Sequence, residues 1–109
     1  MQIQLNTDHN IQGHEALTAH VRSKVEAALD RFSEHITRVE VHLRDDDGDK
    51  HGPDDKRCVM EVRLEGRQPA VVTYQAASRE LAIDGATDKL VRLVEHTLAR
   101  AVHIDRVRH

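Results

Sequence analysis

Four kinds of residue in this chain invite a chemical reading: nine histidines, one cysteine, a run of aspartates, and lysines and arginines set at helical spacing. The run DDDGDKHGPDD at residues 45–55 resembles a calcium-binding loop, which needs ligands at its first, third and fifth positions, glycine at the sixth and a bidentate glutamate at the twelfth. With Gly52 sixth, Asp47, Asp49 and His51 fall correctly, but Cys58 takes the twelfth place. With Gly48 sixth, Leu43 takes the first. Both registers fail, so the segment reads as an acidic connection. Weak divalent-ion binding and electrostatic shielding of a basic surface remain its other uses.

The chain has no CxxC and no Cys/His pair at zinc-ligand spacing. Cys58 alternates in phase with Met60, Val62 and Leu64, which makes it a buried thiol; a reactive one needs exposure and a basic neighbour. His9, His14, His35, His42, His51 and His109 read as surface residues, and no spacing selects an acid/base pair. No enzyme, cofactor or bound metal is expected.

The cations give a clearer pattern. At about 100° per residue, Lys89, Arg92, His96, Arg100 and His103 gather on one flank of a helix, while Asp84, Asp88 and Glu95 fall on another arc. From Lys89 to Arg100 this stripe spans about 16 Å, enough to cross several phosphates. An earlier helix repeats it weakly, with His20, Lys24 and Arg31 along one edge and Glu26 and Asp30 towards the back. Two helices on one side of a sheet would bring such edges together in a groove suited to phosphate recognition. Lysines and arginines flank the apolar stripe of many surface helices, so charge segregation alone does not decide for nucleic acid.

These residues need a scaffold. Ile3 and Leu5 alternate with Gln2, Gln4 and Asn6 as in a half-buried strand. Leu17, Val21, Val25, Ala28, Leu29 and Phe32 then recur at helical spacing, predicting a helix from about His14 to Ser33. Val39, Val41 and Leu43 mark a second strand, Cys58 to Leu64 a third, and Ala70 to Tyr74 a fourth, after turn residues 66–69. Ser78 is a good N-cap for a second helix running to about Ala101 or a little further, with residues 103–109 expected to fray. Gly85 lies inside that helix for no reason visible in the sequence. The order β-α-β-β-β-α describes one α+β domain over residues 1–109: a four-stranded sheet with both helices on one face and an acidic loop at about 45–56. The opening β-α-β implies a parallel strand pair.

The chain has 109 residues, ample for one core. Its net charge of −3 conceals an imbalance: six Asp and one Lys put −5 in residues 45–55, leaving +2 for the rest. Phe32 and Tyr74 are the only aromatics, so nucleic acid would not be held mainly by stacking. Met1-Gln2-Ile3-Gln4 lacks the start of a signal peptide, and no apolar run nears the roughly 20 residues of a membrane span. A reducing, cytoplasmic setting is expected.

The run Ser78-Arg79-Glu80-Leu81-Ala82-Ile83-Asp84-Gly85-Ala86-Thr87-Asp88-Lys89-Leu90-Val91-Arg92 resembles the last helix of the ribosome hibernation promoting factor family, also called ribosome-associated inhibitor or sigma modulation proteins. Met1 to Leu5, Ala16 to Val21, Arg31 to Ile36 and Gly52 to Cys58 are similar to other parts of its short members, so the likeness covers nearly the whole chain. The resemblance implies a fold similar to double-stranded RNA-binding domains. It implies docking in the decoding region of the small ribosomal subunit, where the domain would obstruct tRNA and mRNA and hold idle ribosomes inactive. Its rRNA contacts would fall on Lys89 and Arg92, and on Lys24 and Arg31 in the first helix, with His20, His96 and Arg100 extending the two stripes. Glu80 stands where the family often has an aromatic, and His96 where Lys or Arg is common. No small-molecule substrate or membrane is expected as partner; long family members dimerise through a second domain that does not follow the last helix here, so pairing of ribosomes by that route is not expected, and the free protein is expected to be a monomer. The alternatives are a regulatory protein-binding domain of the same fold with weak or no rRNA affinity, and a metal-responsive module built on the acidic loop.

Overall fold

A computed structural model gives the architecture and describes residues 1–7, 14–45 and 56–108, with side chains for 1–7, 15–44 and 56–100. The expected order is present: β1 (Gln2–Thr7), α1 (His14–Leu29), a 3-10 segment (Asp30–His35), β2 (Ile36–Asp45), β3 (Lys56–Leu64), β4 (Ala70–Ala76) and α2 (Arg79–Arg108). The sheet runs β1-β2-β3-β4, with β1 parallel to β2 and the other two pairings antiparallel. Between them, α1 and α2 account for the covered face: α2 packs on β3 and β4, and α1 on β1 and α2.

Period-2 alternation places Val39, Val41 and Leu43 of β2 and Cys58, Met60, Val62 and Leu64 of β3 towards the helices, where all are buried. Val21, Val25 and Leu29 of α1 and Ile83, Ala86, Leu90 and Val94 of α2 meet them. Thr87 is the buried polar residue of this core, and its hydroxyl donates to the Ile83 carbonyl at 2.7 Å. The opposite face of the sheet carries charge. Arg38 pairs in register with Arg63 and Glu40 with Glu61, and each like-charged pair is relieved along its own strand by Arg38–Glu40 at 2.9 Å and Arg63–Glu61 at 3.3 Å.

Three boundaries differ from the sequence expectation. The first helix is α-helical only to Leu29, and its last part tightens into the 3-10 segment. In a 3-10 turn residues i and i+3 eclipse, so Phe32 lines up behind the buried Leu29 and packs against the core as the chain turns into β2. The fourth strand continues two residues past Tyr74, and Ala76 is buried. Helix α2 runs to Arg108, past the expected end near Ala101; nothing after Gly85 is a glycine or proline that would stop it. The acidic residues 46–55 and the terminal His109 lie outside the described residues.

Local signals account for the β3–β4 and β4–α2 junctions. Ser78 caps α2, its hydroxyl accepting from the Leu81 N–H at 3.1 Å. Gly66, at φ 73°, makes the β3–β4 turn, in which the Arg67 N–H donates to the Leu64 carbonyl at 3.0 Å. Cys58 is fully buried, and desolvation pushes its thiol up to about 12. It should therefore react with a thiol reagent at pH 8 only as fast as the protein unfolds; modification at the rate of a free thiol would contradict the burial. Because burial raises this thiol above its ordinary 9.0, its contribution to stability is present below that pH and declines as pH rises towards 12.

Candidate nucleic-acid interface

The structure separates the two predicted basic stripes. Lys24 of α1 forms an ion pair with Asp84 of α2, and Arg31 pairs with Glu95 at 2.9 Å while lying 4.5 Å from the Phe32 ring centroid. The basic edge of α1 thus meets the acidic arc of α2, and the expected groove between two basic edges is a seam of opposite charges. His20 lies exposed on the same edge, one turn before Lys24. Exposed pairs of this kind contribute about 0–1 kcal/mol each. Lys24→Gln should accordingly move the urea midpoint only slightly; a loss above about 2 kcal/mol would show that the seam holds the helices together.

Lys89, Arg92, His96 and Arg100 are all exposed, on the flank of α2 that faces away from this seam. Among the described residues no acidic side chain falls within that arc; Asp88, one turn before Arg92, borders it. Among the described residues, Lys89 alone of the four has partners: its ammonium donates to the Thr73 carbonyl of β4 at 2.9 Å and lies 5.5 Å from the Tyr74 ring centroid. A neutral carbonyl orients the ammonium without cancelling its charge, whereas Lys24 and Arg31 each face a carboxylate. His103 is on the helical backbone, but its side chain lies outside those described.

Tyr74 explains Gly85. The tyrosine pairs in register with Cys58 and so points to the helix side of the sheet, at its open edge. A Cβ on Gly85 would collide with Cγ, Cδ2 and Cε2 of the ring. Alanine in place of glycine ordinarily stabilises a helix interior by about 1 kcal/mol. Here Gly85→Ala should destabilise instead, and Tyr74→Ala in the same chain should restore the ordinary sign. A stabilising single substitution would show that the ring does not lie on Gly85.

Residues 5–101 match the family described as Sigma 54 modulation protein / S30EA ribosomal protein. This chain belongs to that family. As an S30EA family member it is a ribosome-associated modulation and hibernation protein. No curated protein matches it, but solved structures do. The N-terminal domain of Protein Y from Thermus thermophilus is 28% identical, with a TM-score of 0.70 over 89% of this chain and 99% of that one. A ribosomal subunit interface protein from Coxiella burnetii shares the fold at 18% identity and a TM-score of 0.65, covering 91% of this chain and 99% of its own. Among the described residues of this S30EA protein, no three of His, Cys, Asp and Glu are grouped to hold a metal ion, and no helix is long and apolar enough to cross a membrane.

The sequence pointed to the stripe of Lys89, Arg92, His96 and Arg100 on α2 but not to what holds Lys89. The signals were a glycine opposing helix propensity at 85 and the parity of Tyr74 with Cys58 across β3 and β4. Neither is informative until β4 is placed beside α2.

Proposed function

We propose that this protein binds rRNA of the small ribosomal subunit through the outer flank of α2, and that it silences the ribosome by occupying the decoding region against tRNA and mRNA. The acid-free line of Lys89, Arg92, His96 and Arg100 on one rigid helix carries this reading. Cations fixed on a helix lose little entropy on meeting a phosphate backbone, and the arrangement suits recognition of backbone and shape. The domain acts by filling a site, as a cytoplasmic monomer, with no reaction, cofactor or metal required. Lys24, Arg31 and His20 form a secondary contact, because Lys24 and Arg31 already face carboxylates.

Co-sedimentation with isolated subunits tests the proposal. The protein should travel with small subunits and not with large ones, and the bound fraction should fall as salt rises, since each phosphate contact releases counterions. Protein remaining at the top of the gradient with small subunits at low salt would refute it and favour the alternative of a regulatory domain without rRNA affinity, to which a net charge of −3 is no obstacle.

A further inference from the structure

Tyr74 is one of two aromatics in the chain, and the two are used differently. Phe32 packs against the core, whereas Tyr74 stays 38% exposed on the open edge strand although it points to the helix side of the sheet. Its ring rests on the backbone of Gly85, where any side chain would expel it. The ring is therefore held in place with part of its surface in water. On the same ridge of α2, Leu81 lies one turn before Gly85 and is 55% exposed, and Lys89 lies one turn after it.

We propose that Tyr74 and Lys89 form a nucleotide site on the basic flank: the ring stacks an unpaired RNA base, and the ammonium takes the adjoining phosphate. The proposal rests on the ribosome-contact reading above and adds to it a contact that charge alone does not supply. The occupant follows from the chemistry. The flank carries cations without an acid, which calls for a polyanion, and a preset aromatic surface within it calls for a polyanion that also offers flat, apolar faces. RNA that is looped or single-stranded has both, whereas a regular duplex hides its bases. The Lys89 ammonium is at the outer range of a cation–π contact, 5.5 Å from the centroid, and well beyond the roughly 3.5–4.0 Å of touching carbons. Its other partner is a single neutral carbonyl, so no carboxylate competes with a phosphate for its charge.

The chain has one tyrosine and no tryptophan, so its intrinsic ultraviolet emission reports on Tyr74 alone. Titrating the wild-type protein with an oligoadenylate RNA should quench that emission. An abasic ribose-phosphate oligomer of equal length should bind more weakly and quench little. Equal binding and equal quenching by the two oligomers, or no quenching at saturation with oligoadenylate, would overturn the proposal. Tyr74→Leu keeps an apolar side chain against Gly85 but removes the aromatic face. It should weaken small-subunit binding between about 5-fold and 150-fold with the salt dependence unchanged, and Tyr74→Phe should bind like wild type. Wild-type affinity in Tyr74→Leu would sink the stacking site while leaving the ribosome contact standing; failure of the wild type itself to bind small subunits would sink both. A flattened salt dependence in Tyr74→Leu would show instead that the ring only positions Lys89. Should Tyr74→Leu not fold, the wild-type titration with the two oligomers decides the matter.

Discussion

Neutralising Lys89 and Arg92 together, as Lys89→Gln with Arg92→Gln, should weaken binding to the small subunit at least about 100-fold, because a hydrogen bond to a charged group contributes about 1.5–3 kcal/mol and each 1.4 kcal/mol is tenfold. The plot of log affinity against log salt should lose about 1.4–1.8 in slope, the share of two phosphate contacts. Both residues are exposed and neither is paired with a carboxylate among the described residues, so the melting temperature should hardly move. The matched control is Arg38→Gln with Arg63→Gln, which removes the same charge from the other face of the sheet. Neutral substitutions are used there because reversal would set four carboxylates around the Glu40–Glu61 register pair. The control should bind almost as well as wild type. Equal losses from the two pairs would mean that total charge, not the α2 flank, governs binding.

The second large effect lies one residue away on the same helix. Leu90 is fully buried between Lys89 and Arg92 in sequence, and it points into the core against the sheet. Leu90→Ala should cost about 2–5 kcal/mol in urea unfolding, the transfer term plus the cavity it leaves. That is a large part of the roughly 5–15 kcal/mol that holds a domain together. Folded Leu90→Ala protein should still bind small subunits, since its cations are untouched. A loss below about 1 kcal/mol would show that the core under the flank relaxes into the space.

This split along a few residues of α2 was legible in the sequence because it depends only on helical period. Ile83, Leu90 and Val94 recur on one side and Lys89, Arg92 and His96 on another, whatever the rest of the chain does. The strands were legible for the same reason, from the alternation of Val39, Val41 and Leu43 and of Cys58, Met60, Val62 and Leu64. Contacts between elements were not. That Lys24 and Arg31 would meet Asp84 and Glu95 depends on which flank of α2 turns towards α1, and both flanks border the same apolar stripe. Gly85 seemed a defect until β4 placed Tyr74 on it. The ends of helices were legible only where a side chain marks them: Ser78 caps α2, whereas Leu29 makes no side-chain cap at the change from α to 3-10 geometry, which is set by Phe32 reaching the core.

The buried Cys58 makes one further experiment direct, because a cysteine introduced on the surface can be labelled alone. Ala99 is exposed between Glu95 and Arg100 at the margin of the basic flank, and Val71 is 56% exposed on the opposite face of the sheet. An iron chelate that generates hydroxyl radicals, attached at Ala99→Cys and separately at Val71→Cys, maps which rRNA each face meets on intact ribosomes. If the α2 flank docks as proposed, the label at 99 cuts small-subunit rRNA in the decoding region, more strongly than the label at 71, and Lys89→Gln with Arg92→Gln abolishes the cuts. Cuts from position 99 confined to large-subunit rRNA, or strong decoding-region cuts from position 71 with none from 99, would contradict the assignment of this flank as the ribosome-binding surface.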